Sequence, residues 1–489
     1  MLEYLKRLAR TSVAYQASDL LSKAIAVGTL PLYTRYLAPG DYGVAETLLT
    51  GVILWSIVLR AGLGEGFVRF YYDDADPERR RRLARAVTGF VALTTTVAAL
   101  LGGLLAGPLS SLILGYRDAT VLVIAVVGLW TFTNLEIAYA LLRVDERVRA
   151  YVTATITNVL VTVTLTIVLV VVGGYGARGL LAGNFAGSTV VLLGVWAFER
   201  DRVGLRLDRA PLRALLAFGL PTIPADAGVY ALNVIDRAFL FRTQSHAAAG
   251  FYALAVKLAT VVTVTVRGFQ YAWPPLAYSV TDDADAARLY AVVATYYVLV
   301  TGTVVAGVTL LGRWGVRALA APAFYPAHSA LPWLALGWAL YGLFLVLVVT
   351  AGRVRVTTRN FPAALAGLIV NVVALVVLVP GLGIAGAGIA LCAAYVVMVV
   401  VLYGLTRRLF VVRFEWGRLG LLVGVLALVA VTGELLLPTS GLGGFALRAL
   451  AWCLILPLLI AGRFFRPREV ARLRELVGRA RMLRAPEAG

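Results

Sequence analysis

Apolar runs long enough to cross a membrane follow one another along almost the whole chain, and short polar segments separate them. A helix needs about 20 residues to cross the hydrocarbon core of a bilayer. The pattern predicts fourteen such spans, with the limits 12–37, 44–71, 84–107, 119–142, 150–172, 177–198, 212–240, 247–271, 287–311, 328–351, 357–380, 383–406, 416–437 and 443–462. The expected fold is therefore an all-α polytopic membrane protein.

The basic residues of the connecting segments lie mainly on one side of this arrangement. With the N-terminus inside, the inner side holds 32 lysines and arginines, the outer side holds 6, and 7 lie within the spans. This count assigns the arginines in the first six residues of a span to the segment before it, namely Arg85, Arg178, Arg213, Arg288, Arg359, Arg418 and Arg448. Cytoplasmic segments of membrane proteins carry such an excess of positive charge. The bias predicts an even number of spans in the cell membrane, with both termini in the cytoplasm.

Composition narrows the function classes. Of the 489 residues, 60% are hydrophobic and only 15% are charged, a composition that excludes a soluble domain. The net charge of +19 is explained by the basic residues on the inner side of the membrane and does not indicate a nucleic-acid partner. The two cysteines and two histidines form neither a disulfide framework nor a metal cluster in the sequence. Since the loops are short and lack clustered acids or histidines, we expect no enzyme, no metal and no bound cofactor.

An acidic tetrapeptide marks an internal repeat. Asp-Asp-Ala-Asp occurs at 73–76 and again at 282–285, an offset of 209 (282 − 73 = 209). The glycine-rich turns at 170–184 and 377–391 also resemble each other. Spans one to six and seven to twelve are therefore predicted to be parallel repeats, an arrangement typical of secondary transporters. The predicted parts are an N-terminal lobe (1–198), a C-terminal lobe (199–408), two extra helices (409–462) and a basic cytoplasmic tail (463–489).

Three segments resemble a known family. They read SDLLSKAIAVGTLPLYTRYLAPGDYGVAETLL (18–49), LPTIPADAGVYALNVIDRAFL (220–240) and AAAGFYALAVKLATVV (247–262). They are similar to the prokaryotic polysaccharide flippases of the multidrug/oligosaccharidyl-lipid/polysaccharide exporter superfamily. The resemblance implies two six-helix lobes around a central cavity, two additional C-terminal helices, and translocation of a lipid-linked glycan by alternating access.

Apart from the arginines in the first six residues of a span, seven basic residues lie within predicted spans, all of them in spans one, two, seven and eight. A charged side chain at the bilayer centre is disfavoured by about 2.5–3.5 kcal/mol on insertion scales, so such residues normally face a cavity or a partner. Arginine and lysine suit the phosphate groups of glycan lipid carriers. The predicted substrate-binding residues are Lys23, Arg35, Arg60, Arg69, Arg237, Lys257 and Arg267. Snorkelling to the membrane surface, or pairing with the neighbouring acids Asp19, Glu65 and Asp236, are the alternative explanations.

Intramembrane acids are candidates for coupling transport to a proton or sodium gradient. Asp226 has no close basic neighbour and follows Pro221 and Pro224, which can bend the span around a site. The predicted ion-coupling candidates are Asp226, Glu46, Asp19 and Asp236. Polar span residues are candidates either for sugar contacts or for helix–helix hydrogen bonds, namely Gln16, Ser18, Asn134, Asn158, Asn184, Asn233, Gln270 and Asn371.

These patterns predict a flippase that moves a polyprenyl phosphate- or pyrophosphate-linked oligosaccharide from the inner to the outer leaflet for surface polysaccharide synthesis. The alternatives are a cation-coupled multidrug antiporter, a peptidoglycan-precursor flippase and a membrane enzyme of glycan assembly. The expected partners are the lipid-linked oligosaccharide, anionic inner-leaflet lipids that bind the basic tail, and polysaccharide polymerase or glycosyltransferase machinery. No nucleic-acid partner is expected.

Overall fold

The computed structural model describes residues 20–73, 76–205, 208–232, 234–354 and 356–466. These residues form helices and connecting turns, with no β-strand among them. Helices satisfy their own backbone hydrogen bonds, which hydrocarbon surroundings demand. The predicted all-α fold is confirmed.

The first half of the chain contains helices of very different lengths. In chain order they are α1 (20–28), α2 (Leu30–Tyr36), α3 (Pro39–Leu59), α4 (Leu63–Tyr71), α5 (Pro77–Leu104), α6 (Ala106–Leu114), α7 (Ala119–Val144), α8 (Val148–Ile167), continued by a π-helical turn (Val168–Val172), and α9 (Gly176–Phe198).

The second half begins with short helices and continues with long ones. In chain order they are α10 (Arg209–Gly219), α11 (Ile223–Leu232), α12 (Ile235–Thr243), α13 (His246–Leu258), α14 (Thr260–Ser279), α15 (Asp283–Leu319), α16 (Leu331–Arg353), α17 (Asn360–Thr406), α18 (Trp416–Leu436), α19 (Gly441–Cys453) and α20 (Ile455–Ala461).

Within the described ranges, 10 helices are long and apolar enough to cross a membrane, or 11 if α13 and α14 form one broken span. A single continuous helix covers predicted spans three, four, six, nine, ten and thirteen to within three residues at either end. The chain is thus a multi-pass membrane protein. The number fourteen remains a prediction, partly because the first predicted span begins before residue 20.

The second and seventh predicted spans are among those that the structure shows as interrupted helices. The second breaks between α3 and α4, where Ala61 and Gly62 have φ angles of 51° and 66°. The seventh is divided into α10, α11 and α12. Both spans carry predicted intramembrane cations. Broken helices expose backbone groups within the span and are typical of transporter binding sites.

The two related glycine-rich turns share a backbone feature. Gly176 has a φ of 52° and Gly383 a φ of 55°, and the sequence alignment of 170–184 with 377–391 places them opposite each other. Gly383 interrupts the long helix α17, at the boundary predicted between spans eleven and twelve. Only glycine adopts this region without strain. This alignment has an offset of 207 (383 − 176 = 207), two less than that of the tetrapeptides, and the repeat stays a prediction.

Both copies of the acidic tetrapeptide cap a long helix. The Asp76 carboxylate accepts hydrogen bonds from the backbone nitrogens of Glu78 and Arg79 at the start of α5. The Asp282 carboxylate accepts one from the nitrogen of Asp285 (2.8 Å) at the start of α15. Aspartate is a preferred residue at this position because it satisfies otherwise unpaired amides. The tetrapeptide therefore starts helices rather than forming a chemical site.

The helices group into two compact units. Of the described residues, the first unit comprises those within 20–258, 316–330 and 371–390, and the second those within 259–315, 331–370 and 391–466. Each unit has apolar clusters of its own: Leu63, Phe67 and Val87 belong to one in the first unit, and Trp273 and Tyr290 to one in the second. The predicted lobes at 1–198 and 199–408 rest on the repeat and remain predictions.

Candidate functional site

A buried glutamate in the first unit binds two of the predicted cations. The Glu46 carboxylate on α3 accepts a hydrogen bond from the Lys257 ammonium on α13. It also lies 3.4 Å from Nη1 of Arg237 on α12, which donates to the Thr50 hydroxyl at 2.6 Å. The Lys257 ammonium lies 5.2 Å from the ring centroid of Tyr42. We call Glu46, Thr50, Arg237 and Lys257 the Glu46 cluster. It contains two cations and one anion.

A close crossing of α3 and α13 creates this cluster. A Cβ atom on Gly43 would lie 1.9 Å from the carbonyl oxygen of His246, and one on Gly250 would lie 2.1 Å from that of Pro39. Neither position has room for a side chain. Glu46 lies one turn beyond Gly43, and Lys257 lies two turns beyond Gly250, so each is on the same face as its glycine. The glycine crossing thus brings residues some 200 positions apart into contact.

A cavity of about 330 Å³ opens beside the Glu46 cluster. Its lining residues lie on α1, α2, α3, α7, α8, α9 and α13, together with Thr29 between α1 and α2. We call it the N-terminal cavity. Its charged lining residues are Glu46, Glu136 and Lys257. Its uncharged hydrogen-bonding residues are Ser22, Thr29, Tyr33, Tyr139, Asn158, Thr162, Thr166, Asn184 and Ser188. Uncharged polar groups therefore dominate its hydrogen-bonding capacity.

Glycines also hold α8 against α9 on one side of this cavity. A Cβ atom on Gly183 would lie 2.4 Å from the Cα of Thr166, and one on Gly187 would lie 2.6 Å from the Cα of Thr162. Close helix packing through glycine is common in membrane proteins. It sets the threonines of α8 next to the polar residues of α9.

Two other predicted cations have acidic partners that the sequence did not indicate. Arg60 directly follows the last residue of α3. Its Nη1 lies 3.6 Å from the Glu136 carboxylate, and its Nε lies 3.3 Å from the carbonyl oxygen of Ser56. Arg69 is exposed and bonds Asp73 at 2.6 Å. The alternative that these arginines pair with Glu65 stays a prediction, because the side chain of Glu65 is outside the described set.

The remaining predicted cations lie elsewhere. Arg35 is exposed at the end of α2, Lys23 lies in α1, and Arg267 is exposed on α14 in the second unit. The structure therefore brings together Arg237 and Lys257, and of the seven only Lys257 lines the N-terminal cavity.

The predicted ion-coupling acids differ in their surroundings. Glu46 has two basic partners, although no basic residue lies near it in the sequence. Asp236 is buried and accepts a hydrogen bond from the Tyr252 hydroxyl at 2.7 Å, so its neighbour Arg237 pairs with Glu46 instead. The backbone of Asp226 lies in α11, but its side chain is outside the described set, as is all of Asp19.

Among the described polar span residues, one joins helices and two line the cavity, while Gln16, Ser18 and Asn233 lie outside the described residues. Asn134 donates to Thr95 at 3.0 Å and to the carbonyl oxygen of Trp130 at 2.8 Å, so it joins helices. Asn158 and Asn184 line the cavity. Sequence reasoning missed the lining residues Tyr139, Thr162 and Ser188, although the spacing of four between Asn158 and Thr162, and between Asn184 and Ser188, was a readable signal.

The family described as "Polysaccharide biosynthesis protein" matches residues 32–326, which is more than half of the chain. The chain belongs to that polysaccharide biosynthesis family. The matched region contains every residue of the Glu46 cluster.

Solved structures show the same fold as this family member. A lipid II flippase, MurJ, in an inward closed conformation aligns with a TM-score of 0.72 and 15% identity, over 96% of this chain and 100% of that one. An inward-facing multidrug resistance MATE transporter aligns with a TM-score of 0.65 and 16% identity, over 80% and 94%. A MOP superfamily transporter from Pyrococcus furiosus aligns with a TM-score of 0.53 and 15% identity, over 83% and 94%.

The predicted recognition is confirmed: the family member has the fold of the multidrug/oligosaccharidyl-lipid/polysaccharide exporter superfamily. At identities of 15–16%, these structures show the fold and not the substrate. No protein of curated function matches the sequence.

Proposed function

We propose that this protein is a flippase that moves a lipid-linked oligosaccharide from the inner to the outer leaflet of the cell membrane, for synthesis of a surface polysaccharide. The observation that carries the proposal is the Glu46 cluster, where two cations share one carboxylate beside a cavity rich in hydroxyl and amide groups. The excess positive charge suits the phosphate or pyrophosphate of a glycan lipid carrier, because arginine and lysine bind phosphate oxygens strongly.

The proposed cycle is alternating access with both termini in the cytoplasm. Broken helices beside the cluster offer backbone groups to a polar headgroup, and the lipid tail stays in the bilayer. Asp226, Asp236 or Asp19 would couple the cycle to protons or sodium ions. The basic tail would bind anionic lipids of the inner leaflet. It falls outside the described residues.

Two other substrates fit the same fold. A peptidoglycan precursor is one alternative, since a lipid II flippase has this fold. A drug is the other, since a multidrug resistance MATE transporter has this fold too. A cluster with one excess positive charge repels cationic drugs, so this second alternative is weaker.

Deleting the gene from its host distinguishes the three substrates. We expect surface polysaccharide to be lost while its lipid-linked oligosaccharide accumulates, and a plasmid copy to reverse both effects. A strain that lacks the first glycosyltransferase of the same polysaccharide is the control, because it loses the polymer without accumulating the lipid-linked intermediate. Accumulation of a peptidoglycan precursor, or drug sensitivity with intact surface polysaccharide, would refute the proposal.

A further inference from the structure

The charged groups that line the N-terminal cavity are compensated by partners. Lys257 is bonded to Glu46, and Glu136 lies 3.6 Å from Arg60. The excess charge of the Glu46 cluster comes from Arg237, which does not line the cavity. The cavity surface itself thus has the chemistry of a site for an uncharged polar ligand.

Two helix faces supply hydrogen-bonding groups to this space. Asn158, Thr162 and Thr166 are spaced four apart on α8, and Asn184 and Ser188 are spaced four apart on α9. Residues four apart in a helix lie on one face. The Thr162 hydroxyl donates to the carbonyl oxygen of Asn158 at 2.7 Å, so its own oxygen lone pairs can still accept. The two rows together present a patch of hydroxyl and amide groups.

Two buried polar groups of the lining are incompletely hydrogen-bonded. The Tyr139 hydroxyl and the Asn158 side-chain oxygen meet no partner at full hydrogen-bonding geometry, although the Tyr139 hydroxyl lies close to the side chains of Thr155 and Asn158. More than nine in ten buried polar groups in proteins are hydrogen-bonded, so each exception needs an explanation. The hydroxyl can donate and the amide oxygen can accept, so a ligand rich in hydroxyl groups would complete their hydrogen bonding.

Apolar side chains complete the lining. Phe132, Leu135 and Val159 contribute carbon surface between the polar groups. Small-molecule sites combine such surface with a few placed polar groups, in volumes of roughly 300–1,000 Å³. The cavity of about 330 Å³ is at the lower end of this range. It fits one or two sugar rings better than a bare ion or a whole oligosaccharide.

We propose that the N-terminal cavity is a sugar subsite, which binds an uncharged sugar residue of the glycan through Tyr139, Asn158 and the polar faces of α8 and α9. This inference rests on the proposed function and divides headgroup recognition into two parts. The Glu46 cluster attracts the phosphate, and the cavity recognises the sugar. Substrate choice among glycans then depends on the cavity.

Free sugars test this division directly. The full chain is placed in phospholipid nanodiscs, because maltoside and glucoside detergents would occupy a sugar site. The unfolding temperature is measured against increasing glucose, galactose, mannose, rhamnose and N-acetylglucosamine, and separately against sodium pyrophosphate. A ligand that binds the folded state raises the unfolding temperature according to its affinity. We expect at least one sugar to do so.

Tyr139→Phe is the most informative variant, because it removes a cavity hydroxyl without a fully formed hydrogen bond and keeps the packed ring. It should weaken the sugar response about three- to tenfold, the equivalent of one uncharged hydrogen bond. Tyr175→Phe is the matched control, since Tyr175 is 61% exposed and does not line the cavity. Asn158→Leu should weaken sugar binding at least as much. The pyrophosphate response should stay unchanged in all three variants.

Several outcomes would overturn the sugar subsite. They are an absence of any sugar response, a response equal in wild type and both cavity variants, and a response to sodium ions alone that these variants abolish. The proposed function is tested separately by flipping of a lipid-linked oligosaccharide. Flipping without a sugar response overturns only the subsite, whereas a sugar response without flipping overturns only the proposed function.

Discussion

One glutamate determines how much positive charge the candidate site offers. The sequence indicated seven cations in the spans, but Arg237 and Lys257 share the carboxylate of Glu46. The residue types were predictable because charges in apolar runs are rare. Their pairing was not, since it depends on a crossing between helices that lie some 200 residues apart.

Replacing this glutamate should destabilise the protein. Glu46→Gln leaves two cations without their anion, and breaking such a buried pair typically costs about 3–5 kcal/mol. We expect a clear fall in the unfolding temperature in lipid nanodiscs. Adding Lys257→Met to Glu46→Gln should recover part of the loss, because one uncompensated charge is then removed.

A surface pair provides the control for this substitution. Glu78 bonds Arg81 at 2.8 Å, and these side chains are 67% and 47% exposed. Exposed ion pairs contribute at most about 1 kcal/mol, so Glu78→Gln should change the unfolding temperature little. Equal effects of the two glutamine substitutions would mean that Glu46 does not hold a buried cluster.

Arg448 shows the same limit of sequence reasoning. It lies within the last predicted span and was counted with the outer segment before it, yet it is fully buried on α19. It bonds Glu434 of α18 at 3.0 Å and the carbonyl oxygens of Pro438 and Leu437 at 3.0 Å each. Hydropathy cannot reveal this partner, because it scores each charge without its neighbours.

At the scale of elements, most long helices were predictable and the breaks within them were not. The predicted span 119–142 corresponds to Ala119–Val144, and 416–437 corresponds to Trp416–Leu436. The interruption at Ala61 and Gly62 lies in an apolar run, where hydropathy gives no signal. In span seven, Pro221 and Pro224 did predict a bend at the corresponding place.

The crossing of α3 and α13 supports the candidate site and can be tested with one methyl group. Gly43→Ala places a Cβ atom against the backbone of His246 and Gly250, atoms that cannot rotate away. Overpacking of this kind costs roughly 1–3 kcal/mol. We expect a lower unfolding temperature together with reduced transport, because the crossing positions Glu46 and Lys257.

The same helix contains a matched control. A Cβ atom on Gly51 would meet nothing within 4 Å, so Gly51→Ala adds a methyl group without a clash. Alanine favours a helix over glycine by about 1 kcal/mol, so this variant should be as stable as the wild type or more so. Equal stability of the two alanine variants would contradict the close crossing.

At the scale of the whole molecule, the proposed activity requires a charged, sugar-bearing headgroup to cross the hydrocarbon while its lipid tail remains there. The first unit contains three features suited to this movement, namely the Glu46 cluster, the broken helices α3–α4 and α10–α12, and the N-terminal cavity. The repeat and the spans predicted this general plan. The N-terminal cavity could not be predicted from the sequence, because its lining residues lie on seven helices that only the fold brings together.

Flipping in reconstituted vesicles tests the central claim most directly. The purified protein is inserted into liposomes with a fluorescent polyprenyl pyrophosphate-linked oligosaccharide, and an impermeant quencher reports how much of the label is exposed outside. We predict that wild-type protein moves the inner pool outward and that Arg237→Ala, which removes the excess charge of the Glu46 cluster, slows this movement severalfold. If the wild-type protein leaves the inner pool as protected as it is in protein-free liposomes, this protein does not flip the lipid-linked oligosaccharide.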